Sequence, residues 1–324
     1  MKPFVARSRW TATASALLVA VALLSGCSTW NRVKESTLDF TDKVAHQVGR
    51  IGKLEFTDSG LRCVIAVGAV QTTTVLPGEG IPELFQETLV DNLASGCPKV
   101  LILDPSNPSY PEMILEMTRK NIGPFDNFVL AQTARQLGLN GVLTGGVIDV
   151  REHVEERGFF WMRDTHHFLH VVVGVEVFDA GTAAKLVDES RLYEVEIDDM
   201  EYETSETRKE LLIPILKETI KKAAEEMAKE VCDAVNDNPW TGFVLAVQDG
   251  YVVLSAGTNV GLTEGLELDV LDSSEILESE FGQRFFKPGP RIATVRVTAV
   301  HEDHAEAEIL SGDEVPVGSL VRVP

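Results

Sequence analysis

The spacing of apolar and polar positions changes character along the chain, and each change predicts a different kind of structure. "LRCVIAVGAV" (61–70), "KVLILDP" (99–105) and "NGVLTGGVIDV" (140–150) are short, β-branched apolar runs of the kind buried on both faces of a sheet. Two helices fall between them. "IPELFQETLVDNLASG" sets Phe85, Leu89 and Leu93 at steps of four, with Pro82 at its start and Gly96 at its stop. "DNFVLAQTARQLG" carries Asp126 as cap and Gly138 as terminator. Two longer strands follow, around 165–178 and 184–197, joined by the turn signal "DAGT". Leu212, Leu216, Ile220, Ala223, Met227, Val231 and Ala234 then form one apolar helical stripe, which predicts a long helix docked on the sheet. Beyond "NDNPWTG" (236–242) the pattern is all-β, with short strands and regular glycine punctuation.

These elements predict an α/β (α+β) sandwich, a mixed sheet with flanking helices over 61–236, followed by a small all-β barrel-like domain over 237–324. The N-terminus reads differently. Lys2, Arg7 and Arg9 precede the apolar run "ALLVAVAL" and then "LSGC", Leu24 to Cys27. That run is well short of the roughly 20 residues needed to span a bilayer, so 1–26 reads as a secretory signal. "LSGC" resembles the bacterial lipobox, which implies lipidation (palmitate among the acyl chains) at Cys27. Ser28 in the next position favours the outer membrane by the same resemblance. Residues 27–60, polar and weakly periodic, read as a tether.

Removing residues 1–26 leaves 298 of the 324 residues, enough for two domains with real cores. The formal net charge is −21, and the leader holds three basic and no acidic residues, so the mature chain is near −24. Such a chain is repelled by nucleic acid, which excludes that class of partner. Beyond Cys27 the cysteines are Cys63, Cys97 and Cys232. An oxidising compartment favours pairing Cys63 with Cys97, since each begins a predicted strand; three buried thiols is the other reading. Phosphate loops, dinucleotide fingerprints, nucleophile elbows and zinc-protease pairs are all missing from the sequence. The expectation is a protein with no catalytic residue, no metal and no cofactor.

One stretch stands out: "RGFFWMRDTHHFLHVVVGVEVFD", Arg157 to Asp179. Strand alternation puts His166 and His170 on one face and His167 on the other, two pleats separating the first pair, so a shared metal ion is not expected. His301 and His304 sit in a predicted turn. On the other face Leu169, Val171, Val173, Val175 and Val177 predict core. In the partner strand, Asp188, Glu194 and Glu196 take one face and Lys185, Glu189 and Arg191 the other, and charge on both faces argues against a lipid-facing barrel. "RGFFWMRD" is expected to be a short aromatic loop, with Phe159, Phe160 and Trp161 as candidate contacts for a partner or a membrane interface.

The motifs "CVIAVGAV", "ELFQETLVDNLASGC", "ARQLGLNGVLTGGVIDV" and "VVVGVEVFDAGTAAKLVDE" resemble the CsgG-like family of outer-membrane curli-assembly lipoproteins. The same unit is similar to the N-terminal domain of the TolB translocation protein and to lipoprotein activators of penicillin-binding proteins. "GYVVLSAGTNVGLTEGLELDVL" and the closing "GDEVPVGSLVRV" resemble the C-terminal domain of the flagellar assembly protein FlgT. The resemblance implies a lipoprotein on the periplasmic face of the outer membrane, a non-enzymatic assembly factor for a curli, secretion or flagellar-type apparatus. Its partners would be envelope proteins, with a ring of its own copies as one arrangement. Alternatives are an export pore of the curli type, an activator of a peptidoglycan synthase, and a metal-dependent binding protein or enzyme. Curli channels build their pore from two hairpins placed, in this chain, at Val150–Phe168 and Phe178–Ile197, both charged.

Overall fold

Strands β1 (Cys63–Thr72), β2 (Val100–Leu103), β3 (Gly141–Phe159), β4 (Met162–Asp179) and β5 (Lys185–Ile197) form one sheet in the order β2-β1-β3-β4-β5. The computed structural model describes residues 60–72, 80–119, 126–159, 161–198, 208–248, 250–312 and 314–324, all within one compact unit, Phe56–Pro324. The signal, Cys27 and the tether lie outside the described residues, as does Phe160. β1 pairs parallel with β2 and β3, while β3, β4 and β5 are antiparallel. The sheet is therefore mixed. The parallel part is built from the apolar runs that bury both faces, and the antiparallel part from the strands that alternate.

Helices α1 (Ile81–Gly96) and α4 (Arg208–Asn236) pack against each other, and α4 also rests on β4 and β5. Leu169, Val171, Val173, Val175 and Val177 are buried beneath this layer, as are Leu212, Leu216, Ile220, Ala223, Met227 and Val231 from α4. At the periphery Tyr193 donates its hydroxyl to Glu226 at 2.9 Å, and Arg191 meets Glu226 and Glu230. From Val187 onward the odd-numbered residues of β5 thus face α4, which leaves the even-numbered ones from Asp188 onward on the opposite face of the sheet.

Helix α2 (Glu112–Arg119), eight residues long with Ile114 and Thr118 on its buried side, was not expected from the pattern. It closes against β1: the Ala69 amide donates to the Thr118 hydroxyl at 2.7 Å, and a Cβ on Gly68 would stand 2.7 Å from the Thr118 methyl. Helix α3 (Asn127–Gln136) is capped by Asp126, whose carboxylate accepts from the Phe128 and Val129 amides.

Past α4 the chain forms β6 (Thr241–Gln248), β7 (Tyr251–Leu254), β8 (Glu267–Leu271), β9 (Ile276–Glu278), β10 (Arg284–Phe286), β11 (Arg291–Val300), β12 (Ala305–Ser311) and β13 (Leu320–Arg322). Six of these close a barrel in the order β11-β12-β7-β6-β13-β8, and β9 and β10 form a separate hairpin. Val244, Val252, Leu254, Leu268, Val270, Val295, Ala307 and Val321 are buried within it.

The structure corrects three expectations. The disulfide joins Cys97 to Cys232, with 5.6 Å between their Cα atoms, and Cys63 is a buried free thiol. Cys97 does not begin a strand. It caps the end of α1, beside the last turns of α4, whereas Cys63 lies inside the sheet, where burial pushes its thiol up to about 12. Secondly, "RGFFWMRD" is not a loop but continues both strands, with Phe159 paired to Met162. Thirdly, Lys185 shares the face of Asp188 rather than that of Glu189. The register shifts between Val177 and Phe178, and the bulge turns Lys185 over to bind Glu176 and Asp188.

Candidate functional site

Beyond Val147, among the described residues, β3 has no further pairing with β1 and continues paired with β4 for twelve more residues. Beyond the His167–Ile197 pair, no described residue of β5 pairs with β4. The result is a two-stranded arm in which Arg151–Phe159 are all exposed. At its far end Phe159 is 74% and Trp161 87% exposed. Buried apolar area is the main source of sheet stability, so an arm without it needs local holding contacts.

Those contacts lie at its root, on the face opposite α4. His170 donates from Nε2 to Glu194 at 2.9 Å, and His166 from Nδ1 to Glu196 at 2.7 Å. Because a carboxylate only accepts, each glutamate fixes which ring nitrogen carries the proton. The His153 ring stacks on His170 with centroids 4.7 Å apart, and the Arg157 guanidinium covers the Phe168 ring at 4.7 Å. Phe168 and His170 are buried there, whereas the edge-strand glutamates remain in solvent. Further out, Arg157 pairs with Glu155 and Arg163 with Glu156, both exposed and individually weak.

The expected separation of His166 and His170 on one face from His167 on the other is what the register shows. His166 and His170 each meet a glutamate of the edge strand, Glu196 and Glu194. Among the described residues no three His, Cys, Asp or Glu side chains converge on a metal site. His301 and His304 stack on each other at 4.4 Å in the turn between β11 and β12, far along the chain from the arm. Of the three aromatic candidates, Phe159 and Trp161 stand together at the tip.

Sequence reasoning missed the arm because "REHVEERG" shows no apolar alternation. A signal for it exists in the pairing itself. Arg157 faces Asp164 and Glu155 faces His166, so residue types of complementary charge recur across the turn at constant register.

Between the arm's root and the parallel strands lies a second feature on the same face. Gln71, Gly146, Gly174 and Ser190 form one row across β1, β3, β4 and β5. The two central glycines are buried, with the Ile148 side chain packed close over Gly174, and this row helps to line a groove of about 270 Å³. Ile148 and Leu192, each about half exposed, stand on one side of this row; Thr144, Glu176 and Asp188 stand on the other.

Among the described residues no helix is long and apolar enough to cross a membrane. No protein-family profile and no curated protein matches the chain. Solved structures do. The hypothetical protein CT253 from Chlamydia trachomatis is 16% identical with a TM-score of 0.34, over 55% of this chain and 100% of that one. PelC from Paraburkholderia phytofirmans, solved as a dodecamer, is 14% identical with a TM-score of 0.29, over 52% of this chain and 87% of that one. Lipoprotein GNA1162 from Neisseria meningitidis is 10% identical with a TM-score of 0.28, over 52% of this chain and 99% of that one. Each likeness is partial, across about half of this chain, and bacterial lipoproteins recur among the structures it is similar to.

Proposed function

We propose that the chain is a lipid-anchored periplasmic protein of the outer membrane that assists assembly of a cell-envelope apparatus by docking other envelope proteins, without catalysing a reaction. The observation that carries this reading is the arm: two strands that run on past their described neighbours in the sheet, ending in Phe159 and Trp161. Large apolar side chains held outside a core are what a contact site requires, and aromatic residues are enriched at such sites. The lipobox-like "LSGC" supports the anchor at Cys27, and the resemblance to curli-assembly and flagellar proteins supports the kind of apparatus. No second reading is favoured by the arm. A lipid-facing pore strand needs one uncharged face, whereas here Arg151, Glu155 and Arg157 occupy one face and Glu152 and Glu156 the other.

A photo-crosslinking residue at position 161 of the intact protein in cells tests this. Covalent adducts with envelope proteins, abolished when Phe159 and its neighbours are replaced by Gly and Ser, are the expected result. Adducts with lipid alone, or none from a stably folded protein, would overturn it.

A further inference from the structure

We propose that the groove beside the glycine row binds a primary alkylammonium ion, the charged end either of a free diamine or of a lysine side chain. The site lies apart from the arm tip, so it holds whether or not the arm docks a partner.

One side chain of the groove is left unmet by the protein. Thr144 is only 5% exposed and lines the groove, yet its hydroxyl has no hydrogen-bond partner among the described residues. Sheltered hydroxyls are ordinarily paired, so one that opens on a groove without a partner points to a polar atom from outside the chain.

Thr144, Glu176 and Asp188 lie directly opposite one another on β3, β4 and β5, in one row across the sheet. With strands about 4.8 Å apart, neighbours in such a row reach a single small group placed between them. The two carboxylates already hold one ammonium. Lys185 donates from Nζ to Oε1 of Glu176 and, at 3.0 Å, to Oδ2 of Asp188. Glu176 Oε2 and Asp188 Oδ1 take no donor among the described residues. Two negative charges against one positive leave the row with a net negative charge.

That chemistry selects the ligand. A carboxylate accepts and never donates, so the group it recruits must donate, and the surplus charge favours a cation. Thr144 Oγ1, Glu176 Oε2 and Asp188 Oδ1 are three acceptors, the number that the N–H bonds of a primary ammonium require. A quaternary ammonium has no N–H to give, and an alcohol brings no charge. The rest of the groove suits an alkyl stem. Ile148, about half exposed, lines it, and its Cδ1 would stand 2.8 Å from a Cβ on Gly174, so the glycine lets this side chain lie close over β4. At about 270 Å³ the groove falls just under the range for drug-sized ligands, which fits a short aliphatic amine.

The test titrates the full, lipidated chain in non-ionic detergent with cadaverine, a five-carbon diamine, read by calorimetry and by the Ile148 methyl resonance. Cadaverine should bind saturably, one per chain, and shift that resonance. The matching five-carbon diol and tetramethylammonium should do neither. A chain of net charge −21 attracts any cation diffusely, and tetramethylammonium measures that background. Thr144→Val removes one acceptor and Asp188→Asn the surplus charge, and each should weaken cadaverine binding about tenfold. Because the Thr144 hydroxyl bonds to nothing described in the protein, Thr144→Val should leave the unfolding midpoint unchanged, which separates lost binding from lost fold. Nα-Acetyl-lysine N-methylamide distinguishes the two sources. Binding by this blocked lysine, with or without cadaverine, assigns the groove to a lysine of another protein, and binding by cadaverine alone assigns it to a free diamine. Failure of both to bind, equal binding of tetramethylammonium, or binding indifferent to both substitutions would overturn the proposal.

Discussion

The guanidinium carbon of Arg135 stands 3.6 Å from the centroid of the Phe286 ring, and through that contact the α/β unit grips the hairpin that leaves the barrel. Arg135 projects from α3 and Phe286 from β10. The same guanidinium donates from Nε to the Ala180 carbonyl at 2.7 Å and from its second arm to the Gly181 carbonyl. Around it, Phe286 stacks on Phe128 at 4.4 Å, its amide donates to the Thr182 carbonyl at 2.9 Å, and Arg284 pairs with Asp126. One buried cation therefore ties a helix, a β-turn and the far hairpin together. Burial pushes Arg135 down to about 10, an effect that neighbouring Asp179 opposes, so it remains charged at neutral pH.

Arg135→Met should destabilise the full chain by about 3 kcal/mol, since it strips Asp179 of its buried counter-charge and leaves two carbonyls without a donor. Paired with Phe286→Leu in a double-mutant cycle followed by urea unfolding, it should show a coupling of about 1–2 kcal/mol, the range for a desolvated cation–π contact. Strict additivity would show that the ring merely fills space beside the arginine.

Asp179 is the buried carboxylate in the same junction. Burial pushes it above the ordinary 3.8, against the opposing hydrogen bonds from Thr182 and Gly181 and the charge of Arg135. The folded state thus binds the proton more tightly than the unfolded one. Its contribution to stability is greatest below 3.8 and declines as pH rises through the folded value. Wild type should therefore lose stability relative to Asp179→Asn as pH is raised from about 4 to 7. Denaturant melts of both proteins at each pH check this, and a constant difference would refute it.

The Cys97–Cys232 bridge closes a loop with a sequence separation of 135 residues, tying the end of α1 to α4. A cross-link of that span restrains the unfolded chain strongly, and its removal in Cys97→Ser/Cys232→Ser should cost about 2–4 kcal/mol. Alkylation of the native protein without reductant should leave Cys63 unmodified, because its thiol is buried and pushed up to about 12. After denaturation, still without reductant, mass spectrometry should find Cys63 alkylated and Cys97 joined to Cys232. A native protein that reacts readily at Cys63 would contradict the packing around β1.

Legibility of the fold followed hydrophobic spacing. Phe85, Leu89 and Leu93 in α1, the Val171–Val177 alternation in β4 and the long stripe of α4 were readable because each buries one regular face. The arm was not, because strands that bury nothing carry no alternation, and only the cross-strand partners of Arg151 to Arg157 encode them. Cys232 could not be matched to Cys97 from sequence either, since their approach depends on how two helices pack 135 residues apart. The groove was invisible for a related reason: Gly146 and Gly174 meet only through the register set by the bulge beside Val147. The aromatic tip, by contrast, was conspicuous as sequence, but its exposure is a property of the arm.

Tip and root of that arm should separate cleanly under mutation. Phe159→Ala and Trp161→Ala remove side chains that contribute little to the core, and should leave unfolding free energy within about 0.5 kcal/mol of wild type. Glu194→Ala acts at the root. It removes the acceptor of His170 Nε2 at 2.9 Å, on a ring that is only 9% exposed and whose Nδ1 has no partner. Leaving a buried donor unmet should cost about 1–3 kcal/mol, read from denaturant melts of the same chain. Amide exchange on β4 adds the local measurement, with protection expected to fall first around His166–His170 in the root variant and nowhere in the tip variants. Tip substitutions that destabilise as much as Glu194→Ala would mean that Phe159 and Trp161 belong to the protein's own packing, and that the arm is not held ready for a partner.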